Sequence, residues 1–323
     1  MIVAENITKY YGARAAVDDI SFSIQDGEVI GLLGLNGAGK TTTLRILSGL
    51  LVPSSGRLLV DGVDMAESPE LARSKIGFLP ETSPLYPEMT VEDFLVFVAR
   101  INGVRRDLDS VLENSLVATD LLAYRQARIE TLSHGYRRRV GIASAIVHNP
   151  ALILLDEPTG GLDPVQIVHM RRLIRNLRQK HTVIVSSHIL GEIHQMCDRI
   201  FVLQHGRIVA WGSEEELSKH LRGVTQVKVE VRGCVDALAA ALKKAAQVAH
   251  HTIQREADGI VEATVELQSD TREDLARVLT TEGLGLRRLD RVSLELENIF
   301  LNLTGEPEPN FSKKKTPVET PHA

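Results

Sequence analysis

The chain has 323 residues, 43% of them hydrophobic and 24% charged, with a formal net charge of −5. That balance suits a soluble globular protein of one large or two ordinary domains and lacks the basic footprint of a nucleic-acid binder. No run approaches the ~18 apolar residues of a membrane-spanning helix, and Glu5 and Lys9 interrupt what would be a signal segment, so the sequence predicts a cytosolic chain. Its two cysteines, Cys197 and Cys234, make no disulfide framework, and His194-x-x-Cys197 is too sparse for a zinc site.

Short apolar runs alternate with helical patterns along the first two thirds. Residues 29–33, 152–155 and 182–185 read as buried strands, 40–50 and 165–177 as helices. This alternation predicts an α/β domain with a mainly parallel sheet. Between them, "PLYPEMTVEDFLVFVARINGV" is an apolar helical stretch broken by Glu88, Glu92 and Asp93, fit both to pack and to dock a partner. Residues 213–221 turn charged and helical, and after Gly223 the rhythm shortens: strand 225–231, helix 235–246, strand 248–254, a turn at Asp258-Gly259, strand 260–267, helix 271–282, strand 284–289. This β-α-β-β-α-β order predicts a small α+β, ferredoxin-like domain. The amphipathic "SLELENIFLNL" follows, then a tail rich in proline with Lys313-Lys314-Lys315, which reads as disordered with a solvated charge cluster. The expected domains are therefore 1–220, 221–305 and a tail, 306–323.

"GLLGLNGAGKTT" follows a β-rich run and precedes a helical one, the strand-loop-helix context that Gly34-x-x-x-x-Gly39-Lys40-Thr41 requires as a P-loop. Glycines at 34, 37 and 39 let consecutive backbone N–H groups turn toward one anion without Cβ clashes. Lys40 adds a positive charge at the β- and γ-phosphates, the helix N-terminus adds its partial charge, and the Thr41 hydroxyl can ligate magnesium.

"ALILLDEPTGGLDP" delivers Asp156 and Glu157 at the carboxyl end of a strand, where ligands gather in open α/β sheets. In P-loop enzymes an acid there supports magnesium, which fits Asp156. Glu157 is placed to take a proton from attacking water. His188 closes the strand "TVIVSSH" near the same edge, within reach of a γ-phosphate. Earlier, Ser133-His134-Gly135 in "LSHGYRRR" reads as a second phosphate-facing helix start, and equally as an ordinary N-cap worth about 1 kcal/mol. Arg137, Arg138 and Arg139 behind it suit helix packing and interface charge better than nucleic acid.

With "GLNGAGKTT", "LSHGY", "LILLDEP", "GGLD" and "SSH" in that order, residues 1–220 resemble the nucleotide-binding subunit of an ATP-binding cassette (ABC) transporter. The resemblance implies a P-loop NTPase fold and hydrolysis of ATP to ADP and phosphate with Mg2+. Nucleotide contacts would come from Tyr11, stacked on adenine, and from Gly34, Asn36, Gly37, Gly39, Lys40, Thr41 and Thr42. Glu157, His188 and Glu81 would be catalytic, with Thr41, Asp156 and Glu81 on the metal. Ser133 and Gly135 would bind the γ-phosphate held by the other subunit's P-loop, and Asp163 would face that subunit. The implied assembly is a homodimer, or a heterodimer with a paralogue, on the cytoplasmic face of the membrane through integral permease subunits, with no direct nucleic-acid contact.

Three positions depart from the family pattern. His134 and Tyr136 replace a glycine and the glutamine of Leu-Ser-Gly-Gly-Gln, and Glu81 in "GFLPETSPLYPEMT" stands where the family commonly has a glutamine. A carboxylate ligates magnesium as well as an amide but adds negative charge beside phosphates. The "LPE" and "LSxGYRxRV" variants and the "LENIFLNLT" ending resemble the exporter branch. Two other readings stay open at this point: an ABC ATPase acting on nucleic acid or ribosomes, and a regulatory cassette whose C-terminal domain binds a small ligand.

Overall fold

Runs with almost no polar residue make the centre of a parallel sheet. The computed structural model describes residues 1–213, 216–217, 225–245, 247–257, 259–267 and 271–291, and the chain divides into two compact units between Leu217 and Ser218. In the first unit, β1 (Ile2–Tyr11), β2 (Arg14–Ile24), β4 (Ser55–Val60) and β5 (Val63–Asp64) form an antiparallel sheet in the order β2-β1-β4-β5. A second, six-stranded sheet is built on β3 (Val29–Leu33), β6 (Ile76–Leu79), β7 (Leu152–Asp156), β8 (Thr182–Ser187), β9 (Arg199–Gln204) and β10 (Arg207–Gly212). Its order is β10-β9-β3-β8-β7-β6, parallel except for the edge strand β10.

Every residue of β3, β7 and β8 is buried, which is why they read as continuous apolar runs rather than alternating ones. Their register places the functional ends together: Leu33 lies opposite Ser187, and Asp156 opposite Ser186. Ile2, Ile20 and Ile24 of the antiparallel sheet share one core with Ile30, Leu154 and Ile184 of the parallel one.

Helices α1 (Lys40–Leu47), α2 (Pro69–Ser74), α3 (Val91–Ile101), α4 (Leu108–Ala118), α5 (His134–Ile146), α6 (Pro164–Leu177) and α7 (Leu190–His194) complete the unit. The first ends three residues before the position 50 that apolar spacing suggests. Gly49, at φ 70°, turns the chain left-handed, and the N–H groups of Gly49 and Leu50 close back onto the Ile46 and Arg45 carbonyls. The helical stretch foreseen after Glu81 is α3, capped by the Thr90 side chain on the Asp93 N–H. It buries Val91, Phe94, Leu95 and Ala99 against α4 and α5.

The second unit runs β11 (Thr225–Arg232), α8 (Val235–Lys244), β12 (Val248–Ala257), β13 (Ile260–Leu267), α9 (Arg272–Thr281), β14 (Gly285–Arg291). The strands pair antiparallel in the order β12-β13-β11-β14, the split βαβ arrangement. Strict alternation in β13, where Val261, Ala263, Val265 and Leu267 point inward, made this legible from sequence. The segment "SLELENIFLNL", the tail and most of 213–221 lie outside the described residues.

Two histidines sit at the starts of strands in the parallel sheet. His148 Nε2 lies 3.1 Å from the Ile76 carbonyl, and buried His181 Nδ1 lies 2.7 Å from that of Pro150. Burial, the largest cause for both, holds each below the ordinary histidine range. The unfolded chain therefore takes up protons below about pH 6.5 that the native fold refuses, so stability is lost as pH falls. Denaturation between pH 7 and 5 is expected to show that loss, with a limiting slope of about 1.4 kcal/mol per pH unit for each histidine. The double variant His148→Gln/His181→Gln should flatten it.

Candidate active site

The loop after β3 is shaped by glycines that no other residue can replace cheaply. Gly37 and Gly39 adopt φ 82° and 108°, and a Cβ on Gly39 would lie 2.5 Å from the Ala16 carbonyl oxygen. Gly39 is also the N-cap of α1, so the helix starts with its free N–H groups beside the loop. Lys40 is buried, its ammonium donating to the Gly34 and Leu35 carbonyls at 2.8 and 3.4 Å and lying 3.5 Å from Glu157 Oε1.

Asp156 and Glu157 leave β7 in different directions. Asp156 is buried, and its Oδ1 accepts the Ser186 hydroxyl at 2.6 Å. The same Ser186 oxygen accepts the Glu157 N–H at 2.9 Å. Glu157 has φ 48°, a conformation uncommon for a residue with a side chain and costing on the order of 1 kcal/mol or more. It persists because the backbone is held from both sides: Ser186 takes its N–H, and Arg138 Nη2 donates to its carbonyl at 2.6 Å. The turn aims the carboxylate at His188, whose Nδ1 lies 3.0 Å from Glu157 Oε2.

Lys40, Arg138, Glu157 and His188 line one cavity of about 800 Å³. Its walls include Tyr11, Asn36, Gly37, Gly39, Lys40, Thr41 and Thr42 together with Glu81, Glu157 and His188. Five foreseen residues are elsewhere. Gly34 underlies the loop, and its missing Cβ leaves room for the Leu203 carbonyl, which would be 2.7 Å away. Asp156 is tied to Ser186, Ser133 accepts the Tyr136 N–H at 3.5 Å as the cap of α5, and Asp163 accepts the Gln166 N–H at 2.9 Å as the cap of α6. Ser133, Gly135 and Asp163 do not line this chain's cavity, whereas His134 does.

The departures have local partners. His134 Nε2 lies 3.3 Å from the Gly160 carbonyl, linking the start of α5 to the loop after Glu157. Tyr136 packs its ring 4.2 Å from that of Tyr124, beneath the Arg139 guanidinium at 5.6 Å. Arg139 pairs with Asp120 at 2.9 Å.

Sequence reading missed Arg138, the most committed member of the arginine run. Its buried guanidinium faces six acceptors: the carbonyls of Pro80, Glu81, Asp156, Glu157 and Pro158 and the Ser83 hydroxyl. It thereby holds the Glu81 segment and the Glu157 turn in one frame. Burial lowers its pKa, and the carboxylates of Glu81, Asp156 and Glu157 work in the opposite direction; an arginine stays charged regardless. Arg138→Gln is expected to cost about 2–4 kcal/mol of stability by leaving buried carbonyls unpaired. It should also lower kcat more than it raises KM, since it displaces Glu157 rather than the P-loop. Thermal unfolding and steady-state kinetics would show both; wild-type kinetics in a folded variant would contradict this role.

Comparison with known proteins decides the identity. A family profile described as ABC transporter matches residues 17–160. The linearmycin resistance ATP-binding protein LnrL of Bacillus subtilis is 34% identical, over 94% of this chain and 98% of its own length. The chain belongs to the ABC transporter ATP-binding proteins. A Nod factor export ATP-binding protein I of Rhizobium etli is 33% identical over 93% of this cassette protein and 92% of its own length. Among solved structures, the dimeric MJ0796, a bacterial ABC transporter cassette, superposes with a TM-score of 0.59 at 27% identity, covering 66% of this chain and 98% of that one. The ABC protein described here is thus an ATP-binding, ATP-hydrolysing transporter subunit of α/β, P-loop NTPase fold. No helix among its described residues is long and apolar enough to cross a membrane.

Proposed function

We propose that this subunit powers export by closing on a second copy, or on a paralogue, with ATP held between them. The observation that carries this reading is the division of the foreseen contacts: the P-loop, Glu157 and His188 share one cavity, while Ser133, Gly135 and Asp163 lie outside it on capped helix starts. Such helix starts supply donors for a triphosphate whose outer side an open P-loop leaves in water. The dimeric cassette structure and the relatives named for resistance and export support the same reading.

Within one site, Tyr11 would stack on the adenine, and the P-loop N–H groups with Lys40 would hold the phosphates. Glu157 is placed to accept the proton of attacking water, with His188 orienting it and meeting the γ-phosphate. The oxygen donors here fit a hard divalent cation: the Thr41 hydroxyl and the Glu81 carboxylate line the cavity, and Asp156 ends the adjacent strand. Mg2+ bound to these three would neutralise charge on the phosphates.

Coupling to membrane permease subunits falls to α3 and the turn before it. Tyr86 and Phe97 are exposed and meet edge-to-face at 5.7 Å, with Ile101 exposed beyond them. Docking there would hold the subunit on the cytoplasmic face. We assign residues 1–220 to the ATP-binding domain and 221–305 to an accessory domain. The test is the ATPase rate per chain, with magnesium, across a hundredfold range of chain concentration: it should rise as dimers form. A constant rate from a chain that stays monomeric by light scattering would overturn the proposal.

A further inference from the structure

The first unit has a second large concavity, about 890 Å³, at the opposite end of the parallel sheet from the P-loop. Its walls include Gly27, just before β3, Gln179, just before β8, and Asp198, just before β9. The P-loop leaves β3 at the other end. Five residues at about 3.3 Å each separate the two by roughly 15 Å along the strand.

The charge of this cavity is one-sided. Arg171, Arg172, Arg175 and Arg178 all contribute to it from α6 and the residue after it. Among the described residues Asp198 is the one carboxylate in the wall, and it is already engaged: Arg178 donates to it at 2.9 Å and the Val29 N–H at 3.0 Å. Cys197 stays a neutral thiol there, its pKa pushed up by burial. Among the described residues no carboxylate pairs with Arg172 or Arg175. Arg171 donates to the Gln195 side chain, yet its Nε is buried without an acceptor.

Like charges three and four residues apart on a helix, such as Arg172 with Arg175 and Arg171 with Arg175, repel and weaken it. An ordinary solvated face would intersperse acids among them. Guanidinium groups present planar forks that match phosphate oxygens two at a time, and several converging on one concavity select a ligand carrying several phosphate charges.

We propose that this cavity binds a small, diffusible anion bearing two or more phosphate groups, at a site separate from the ATP site. A route to the chemistry is built in. The cavity wall at His194, Gln195 and Met196 continues directly from α7, which begins two residues after His188 and packs on β3, where a Cβ on Gly31 would lie 2.3 Å from Ile193. The element lining the cavity is thus joined to His188 through Ile189 alone.

Calorimetric titration with sodium tripolyphosphate, without magnesium, tests this on the full-length Lys40→Ala chain, in which the P-loop has lost its cation and binds phosphate at least about a hundredfold more weakly. One site of micromolar affinity is expected, weakened at least tenfold by adding Arg172→Gln and Arg175→Gln and weakened also by salt. Both arginines are exposed, so the variant should keep its unfolding temperature, which serves as the control for folding. Absence of binding to the Lys40→Ala chain, or binding that the arginine changes leave unaltered, would overturn the proposal. Neither result bears on the ATP site, which is read out separately by ATP binding to the wild-type chain.

Discussion

Glu157→Gln is expected to retain ATP binding while losing turnover by about two to four orders of magnitude, the usual contribution of a general base. Glutamine preserves the shape of the side chain and the backbone turn that aims it. It cannot accept a proton. The placement is specific: the carboxylate sits 3.0 Å from His188 and 3.5 Å from the Lys40 ammonium, in a wall shared with the P-loop. The fold maintains a left-handed residue there, with Ser186 and Arg138 bonded to its two backbone groups. Single-turnover hydrolysis and nucleotide binding measured on the same preparation separate the two effects. Turnover within a few-fold of wild type would remove Glu157 from the role of base.

Lys40→Ala is expected to act on binding itself, raising the Kd for ATP by at least about a hundredfold, or roughly 3 kcal/mol. Its ammonium is the one cation of the P-loop, buried and oriented by two carbonyls of the same loop. Charge-assisted bonds to phosphate oxygens carry about 1.5–3 kcal/mol each, and this side chain is placed to make more than one. The backbone N–H groups of the loop remain in the variant, so residual binding should be weak rather than nil. Equilibrium binding of a fluorescent ATP analogue would show the shift; an unchanged Kd would mean that the backbone alone holds the nucleotide.

Much of this site was legible because its parts sit on elements with strong local signals. The buried runs of β3, β7 and β8 have no polar interruption before their last residues, and the P-loop glycines follow the first of them directly. What sequence could not show is which of those residues face one cavity. Ser133, Gly135 and Asp163 belong to the same set of motifs as Lys40 yet line no wall with it in this chain. The antiparallel sheet of β1, β2, β4 and β5 also went unread, and the end of α1 was set by the left-handed Gly49 rather than by apolar spacing.

Arg138 was hidden by its neighbours. Three consecutive arginines look alike, but helical spacing puts Arg138 on the buried stripe with Gly135, Ile142 and Ala145, while Arg137 faces solvent. A charged residue on an apolar stripe is the signal that a periodicity count would have caught. Ser186 had a weaker signal, a polar residue next to last in a fully buried strand beside the one that ends in Asp156.

In the proposed dimer, Ser133 of one copy meets the nucleotide of another. The most direct measurement is the solution mass, with and without ATP and magnesium, of Glu157→Gln compared with Glu157→Gln/Ser133→Asp. Aspartate caps a helix as well as serine, so α5 should form, but it places a negative charge against the γ-phosphate. ATP is expected to shift the single variant from monomer to dimer while the double variant binds ATP and stays monomeric. A double variant that dimerises with ATP as readily as the single one would contradict it.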